Sequence, residues 1–164
     1  PLPEAQMDRF IMKLNIDYPD EASEEKIIKL VRGEEQPTKS SEEIKVEQKS
    51  IFSARAEIHN TFSSEAIEKY MVALITATRE PERYSEDLKK WIEIGASPRG
   101  TLALDKCSRT HAWMKGKDHV APEDVQAVVN DCLRHRIHLS YEASAEGITT
   151  NQVLDEIVSK VAAA

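Results

Sequence analysis

Residues 93–113, "EIGASPRGTLALDKCSRTHAW", decide the fold. Ser97 followed by Pro98 predicts a helix start, because the hydroxyl can accept from the first free N–H groups and proline needs no N–H partner there. The residues that follow have helical spacing, and Gly116 predicts the end of this helix. Arg99 at its second position is unexpected, since the N-terminal end of a helix disfavours positive charge. We therefore expect a negatively charged group to come to Arg99.

Apolar stripes at helical spacing predict further helices on both sides of this one. Ser63 or Ser64 predicts the start of one helix, which ends before Pro81, and Pro122 lies in the first turn of another. Thr149 and Gln152 have the spacing of a capping box, which predicts a final helix. Residues 41–59 carry a weaker helical period, and residues 82–96 predict a loop with one short turn. The stripe residues are Ile67, Tyr70, Met71, Leu74 and Ile75, then Val125, Val128, Val129, Cys132 and Leu133, then Val153, Leu154, Ile157, Val158 and Val161.

The first forty residues follow a different pattern. Apolar residues alternate with polar ones between Phe10 and Tyr18, which predicts a half-buried strand over about 9–18. Asp20 predicts the cap of a helix that ends near Gly33. A single strand cannot form a sheet, so its partners are missing from this sequence or come from another copy. The polar residues 34–41, "EEQPTKSS", predict a linker.

Composition excludes several classes of protein. The net charge of −7 argues against a general nucleic-acid binder, which needs a surplus of Lys and Arg. No apolar run approaches the roughly 20 residues that span a bilayer, and no signal-peptide pattern is present, so we expect no membrane insertion. Two cysteines are too few for a disulfide framework, and we expect a cytoplasmic protein. The sequence opens without Met, and we expect it to be part of a longer protein.

No complete active site is visible in the sequence. None of the five glycines belongs to a GxxxxGKS/T or GxGxxG motif, so no phosphate-binding loop is encoded here. One zinc site can be considered, because Cys107 and His111 are four residues apart and Cys132 and His135 are three apart. The simpler interpretation is that both cysteines are small core residues. We predict no metal site.

Three segments together resemble the C-terminal part of a MoxR-type AAA+ ATPase. They are "PLPEAQMDRF" at residues 1–10, "GASPRGTLAL" at 95–104 and "VAPEDVQAVVNDCLRHRIHLSYEASAEGI" at 120–148. The resemblance covers nearly the whole chain and is weakest between about Gly33 and Phe62. It implies a mainly α fold, in which a helical lid-domain bundle at 42–164 follows a short strand–helix remnant of an α/β AAA+ core at 1–33, with a linker at 34–41.

The same resemblance implies roles for individual residues. Arg9 resembles an arginine finger, and Arg99 resembles the sensor-2 arginine of the lid. Ser97 and Gly100 would lie beside the nucleotide, with Gly100 allowing a close approach to the backbone. ATP and Mg²⁺ would serve the intact enzyme, whose Walker A and Walker B motifs are not in this sequence, so we expect this chain alone to bind no cofactor and to be inactive. Members of the family act as chaperone-like ring oligomers, and a von Willebrand A-domain protein is an expected partner.

Physical chemistry supports these roles without requiring them. A helix N-terminus attracts anions through free N–H groups, and a positioned guanidinium stabilises the charge that develops during phosphoryl transfer. However, Arg9 follows Asp8 and the two could form a simple surface ion pair. Arg134, His135 and Arg136 form a basic cluster that could bind the nucleotide or a neighbour, although a solvated helix end is the simpler interpretation.

Two further points stay open at the sequence level. Ala121 precedes "PEDV" where lids of this family tend to carry Thr, and the missing side-chain cap would cost about 1 kcal/mol. The alternative function is a non-enzymatic acidic helical module that binds another protein.

Overall fold

The structure of the protein is a computed structural model that describes residues 2–34 and 45–163. The chain divides into two compact units, one formed by residues 1–13 with 54–164 and the other by residues 14–53. Most of the predicted linker, residues 35–41, lies outside the described residues, as do residues 42–44 at the predicted start of the lid. The division into a core tail, a linker and a lid therefore stays a prediction.

Helices dominate both units, which confirms the mainly α fold class. Their starts agree with the predicted caps: Ser64 accepts from the N–H of Ile67 at 3.3 Å, and Thr149 and Gln152 form the capping box. In chain order the described helices are α1 (Glu4–Met7), α2 (Glu21–Glu34), α3 (Gln48–Asn60), α4 (Glu65–Arg79), α5 (Glu86–Trp91), α6 (Pro98–Met114), α7 (Pro122–Leu133), α8 (Tyr141–Ala145) and α9 (Thr150–Lys160).

The predicted stripes form one hydrophobic core in the larger unit. Helices α4, α6, α7 and α9 each turn an apolar face inward, so four amphipathic helices bury each other's stripes. Burial of this kind, rather than helix propensity, supplies most of the stability of such helices. The largest fully buried side chains are Tyr70, Leu74, Ile75, Leu88, Leu104, Leu133, Leu154 and Ile157.

The loop predicted over residues 82–96 was wrong in detail. The segment contains most of a 3₁₀ turn at Pro81–Arg83, then α5, then the short strand β1 (Ile92–Ile94). Strand β1 pairs antiparallel with β2 (His138–Leu139), with Ile92 opposite Leu139. A strand of three residues shows no periodicity of its own, and its partner lies far along the chain, so local sequence could not reveal this pairing.

The strand predicted over about 9–18 was also wrong. Residues 12–20 have no regular secondary structure, because a strand needs a hydrogen-bonding partner and none of the described segments pairs with it. Ile16 and Tyr18 are 94 % and 92 % exposed, so the alternating pattern has no buried face here. Met12 instead packs against the core of the larger unit.

Helix α2 of the smaller unit begins as predicted. Asp20 accepts from the N–H of Ser23 at 2.7 Å, which is the expected capping bond. The apolar side chains of this helix, including Ile27, Ile28 and Val31, are exposed. None of the described helices is long and apolar enough to cross a bilayer.

Candidate functional site

The start of α6 is fixed by the end of α4. The hydroxyl of Thr78 accepts from the N–H of Ala96 at 2.9 Å, and Nε of Arg79 donates to the carbonyl of Ala96 at 2.7 Å. A Cβ on Gly95 would lie 2.3 Å from the carbonyl oxygen of Thr78, so only glycine permits this close approach. The backbone that leads into Ser97 is therefore held rigidly.

Ser97 caps α6 as predicted and also contacts the N-terminal segment. Its Oγ accepts from the N–H of Arg99 at 3.2 Å and lies 2.9 Å from both carboxylate oxygens of Asp8, to which it donates. Nη1 of Arg99 donates to Oδ2 of Asp8 at 3.1 Å. A negative group of this chain, the carboxylate of Asp8, therefore lies against Arg99, and binding of an incoming anion there stays a prediction.

Arg136, which lies three residues beyond the end of α7, anchors the segment that carries Asp8 and Arg9. Its side chain is 2 % exposed and its Nε donates to Oδ1 of Asp8 at 3.1 Å. Nη2 donates to the carbonyls of Asp8 at 3.0 Å and Phe10 at 2.6 Å, and Nη1 donates to the carbonyls of Ile11 at 3.3 Å and Cys132. One buried guanidinium therefore holds the backbone on both sides of Arg9.

The basic cluster at the end of α7 is not a solvated helix end, and that interpretation was wrong. Nε2 of buried His135 lies 3.0 Å from the carbonyl of Phe10, and Arg134 pairs with Asp131 at 2.7 Å. The spacing of Arg136 contained a signal for its burial, because it lies four residues after buried Cys132 and continues the stripe of α7. Sequence reasoning missed both this anchor and Asp8.

The environment of Asp8 keeps its carboxylate charged. Partial burial raises its pKa, but the hydrogen bonds from Ser97, Arg99 and Arg136 outweigh burial and hold the pKa below its usual value. The side chain of Asp8 is 19 % exposed and that of Arg99 is 50 % exposed. Arg99 consequently keeps donors available to solvent or to a ligand. The described residues form no ion pair between Asp8 and Arg9, so that alternative does not hold.

Arg9 and Arg99 line one surface cleft of about 190 Å³. Lys106 and Arg136 contribute to the same lining, and among the described residues that form it Asp8 carries the one carboxylate. Arg9 itself is exposed. Four cations against one acid in a chain of net charge −7 make this cleft a local positive site, which is the electrostatic requirement for binding an anion.

Gly100 lies on the core side of α6 rather than in the cleft. A Cβ at this position would lie 2.9 Å from Cδ1 of Ile75 and 3.1 Å from Cδ2 of Leu133. The missing side chain therefore lets α6 pack closely against α4 and α7, and this packing explains the glycine without a bound nucleotide.

The zinc alternative is not supported by the structure. Nδ1 of His111 lies 2.9 Å from Oδ1 of buried Asp124, while His135 turns to the N-terminal segment. Cys107 and Cys132 lie beside each other in the core. Across residues 2–34 and 45–163, no three His, Cys, Asp or Glu side chains are grouped so that they could hold a metal ion.

Comparison with known proteins identifies the fold. The family model of the AAA lid domain matches residues 86–157. Chaperone MoxR1 of Mycobacterium tuberculosis is 36 % identical over 163 residues, covering 99 % of this chain and 42 % of that protein. Protein MoxR of Methylorubrum extorquens is 30 % identical over 147 residues, covering 84 % of this chain and 43 % of that protein.

A solved structure gives the same result. The crystal structure of a protein from Cytophaga hutchinsonii, provisionally assigned as an ATPase, matches with a TM-score of 0.88 and 37 % identity, covering 100 % of this chain and 49 % of that one. The chain thus spans less than half the length of each of these relatives. Residues 86–157 match the AAA lid domain, and most of the chain is similar to MoxR proteins, which confirms the resemblance to the MoxR-type AAA+ ATPases.

Proposed function

We propose that this chain is the lid-bearing C-terminal part of an ATP-hydrolysing AAA+ enzyme, to which it contributes an arginine finger, Arg9, and a sensor-2 arginine, Arg99. The observation that carries the proposal is the cleft that both residues line. A triphosphate held by another part of the enzyme, or by a neighbouring subunit, would meet both guanidinium groups at once. Electrostatic stabilisation of this kind is the main catalytic contribution of a protein to phosphoryl transfer.

The residues of the cleft fit a phosphate group. Asp8 already occupies the position of an anion beside Ser97 and Arg99, so the donors there are arranged for carboxylate or phosphate oxygens. ATP would supply the bond to be hydrolysed, and Arg99 would bind its phosphate oxygens while Arg9 stabilises charge on the transferred group. The described residues hold no carboxylate cluster suited to Mg²⁺, so its ligands would come from another part of the protein.

Arginine variants of the longer protein that contains this chain test the proposal. We expect Arg99→Ala and Arg9→Ala each to lower ATP turnover, with a loss on the order of 10³-fold for the finger. Arg83→Ala is a matched control, because Arg83 is a surface arginine outside the cleft that pairs with Glu80 three residues away. Wild-type turnover in both cleft variants would refute the proposal, as would ATP hydrolysis by the 164-residue chain alone.

Assembly and partners follow from the same assignment. In our proposal the intact protein is a cytoplasmic, chaperone-like ring, with a von Willebrand A-domain protein as a partner and without binding to nucleic acid or insertion into a membrane. Sedimentation of the longer protein with and without ATP tests the ring. A titration with duplex DNA at low salt tests the absence of nucleic-acid binding, since electrostatic binding is strongest there.

A non-enzymatic interaction module is the second candidate function. The exposed apolar side chains of the smaller unit, such as Ile16 and Tyr18, favour it, since exposed apolar surface often marks a protein interface. The sequence of the reading frame upstream of Pro1 distinguishes the two functions. A GxxxxGKS/T motif there, followed by an apolar run ending in Asp-Glu, supports the ATPase; a frame without them supports the module.

A further inference from the structure

Asp8 lies in the cleft, and the proposed function gives it no part in the reaction. It is the direct neighbour of Arg9 in the chain, and its carboxylate receives donors from three other groups. Oδ2 faces Arg99 and Oδ1 faces Arg136, while the hydroxyl of Ser97 lies 2.9 Å from each oxygen. Asp8 is therefore the covalent and electrostatic connection between the proposed finger and the proposed sensor.

The contact between Asp8 and Arg136 is stronger than the contact between Asp8 and Arg99. Arg136 is buried and also grips the carbonyls of Asp8 and Phe10, so Asp8 stays attached on that side. Arg99 is half exposed and contacts Asp8 through a single nitrogen, and an exposed ion pair of this kind is weak. A phosphate group carries more charge than a carboxylate, so it can take Arg99 from Asp8 while Arg136 still holds Asp8 in place.

We propose that Asp8 is a positioning residue: it keeps Arg99 aligned in the cleft until a phosphate group takes over that guanidinium, and it fixes Arg9 at a constant distance from Arg99 by linking both to buried Arg136. This inference rests on the proposed function of the two arginines. It adds that the Asp8 carboxylate competes with phosphate for Arg99 in the ground state and aligns both arginines for the reaction.

The two effects act in opposite directions on the kinetic constants. In Asp8→Asn the competing charge is removed, so we expect the KM for ATP to fall about two- to fivefold, the value of one exposed ion pair. The alignment of both arginines is lost as well, so we expect kcat to fall on the order of 10- to 100-fold, as for misplaced groups in other active sites. A variant that was merely less stable would not tighten KM.

The experiment measures steady-state ATP hydrolysis by the longer protein that contains this chain, for wild type, Asp8→Asn, Asp8→Glu and Asp118→Asn. Asp118→Asn removes the same charge at an exposed site that contacts His119, outside the cleft, and should leave both constants unchanged. Asp8→Glu keeps the carboxylate and should recover part of kcat. Circular dichroism checks folding. If Asp8→Asn does not fold, Ser97→Ala, which keeps the competing carboxylate but removes one donor that orients it, should lower kcat by less than the loss expected for Asp8→Asn and should not lower KM.

Each outcome decides between the two proposals. A lower KM together with a lower kcat in Asp8→Asn supports the positioning role. Unchanged constants in Asp8→Asn, or a raised KM with a lowered kcat, overturn it and leave the ATPase assignment standing, provided that Arg99→Ala is impaired. Wild-type rates in Arg99→Ala and Arg9→Ala overturn the proposed function and this inference with it.

Discussion

His135 is a buried histidine with only one ring nitrogen hydrogen-bonded. Nε2 faces the carbonyl of Phe10, whereas Nδ1 is buried without a partner among the described residues. Burial lowers the pKa of His135; the Phe10 carbonyl acts in the opposite direction, and the positive charges of Arg136 and Lys13 lower the pKa further. The neutral ring is therefore favoured in the folded protein.

This histidine predicts a pH dependence of stability. An unfolded histidine has a pKa of about 6.5, so below that pH the unfolded chain binds more protons at this position than the folded chain does. The free energy of unfolding should fall as pH is lowered from about 7 to 5, a loss that denaturant titrations at several pH values will measure. His135→Gln keeps a donor for the Phe10 carbonyl and should show a smaller loss. An equally steep loss in this variant would contradict the prediction, and exposed His119→Gln is the control.

The chemistry of Arg99 was predictable from its position in the sequence, but its partner was not. A cation in the first turn of a helix needs a nearby anion, and the sequence shows this need directly. Asp8 lies 91 positions earlier, a separation that only the fold closes. Arg136 was equally hidden, because a cationic residue at a helix end is usually solvated and here carbonyls of a distant segment surround it.

The N-terminal end of α7 offers a test at the scale of a single element. Ala121 has the extended backbone of an N-cap, with φ −103° and ψ 163°, but no oxygen on its side chain. The carboxylate of Asp124 accepts from the N–H of Ala121 at 2.9 Å, so only one half of the capping interaction is made.

Ala121→Thr should add the missing half. Its hydroxyl can accept from the N–H of Asp124, and we expect the free energy of unfolding to rise by about 0.5–1 kcal/mol. Ala121→Val has nearly the same shape without the acceptor and is the matched control. Chemical denaturation of both variants measures the difference, and equal stabilities would show that no capping bond forms.

Gly95 lies where the connection from β1 to α6 passes the end of α4. A substitution there should change the free energy of unfolding more than Ala121→Thr does. Gly95→Ala would push a Cβ to within 2.3 Å of the Thr78 carbonyl oxygen, which is backbone and cannot rotate away. We expect this variant to lose about 1–3 kcal/mol of stability, measured by thermal and denaturant unfolding. In Gly33→Ala the added methyl group meets nothing within 4 Å, so this helical control should be as stable as wild type or slightly more so. Similar losses in both variants would mean that backbone freedom, not the close contact, explains Gly95.

Elements with long amphipathic stripes were the predictable ones. Helices α4, α6, α7 and α9 carry both the stripe and a start signal, so local sequence specified them. Four elements are too short to show a period: α5, β1, β2 and α8. They form because they pack against the hydrophobic core of the four longer helices. The predicted strand before Pro19 failed for the opposite reason, since its pattern is clear but residues 2–34 and 45–163 provide no partner strand.

At the scale of the whole molecule, charge and apolar surface are distributed unevenly. The chain is acidic overall, yet four cations collect in one cleft of the larger unit. Apolar side chains collect on the smaller unit, where exposed Leu14, Ile16 and Tyr18 precede Ile27 and Leu30 of α2, which are also exposed. The alternating segment and the helix both expose their apolar side chains. This pattern is typical of segments that are buried against another protein surface.

This exposed surface predicts self-association of the 164-residue chain. In the absence of a covering surface, copies should bury these side chains against one another, so the average mass measured by light scattering should rise with protein concentration. The double variant Ile16→Ser with Leu30→Ser, both in the smaller unit, should lower this mass toward that of a monomer. Leu102→Ser removes an exposed leucine of similar size from the cleft of the larger unit and should leave the association unchanged. A wild-type chain that stays monomeric at every concentration would show that apolar exposure in residues 14–31 does not drive assembly, and equal masses for all three proteins would place the contact elsewhere.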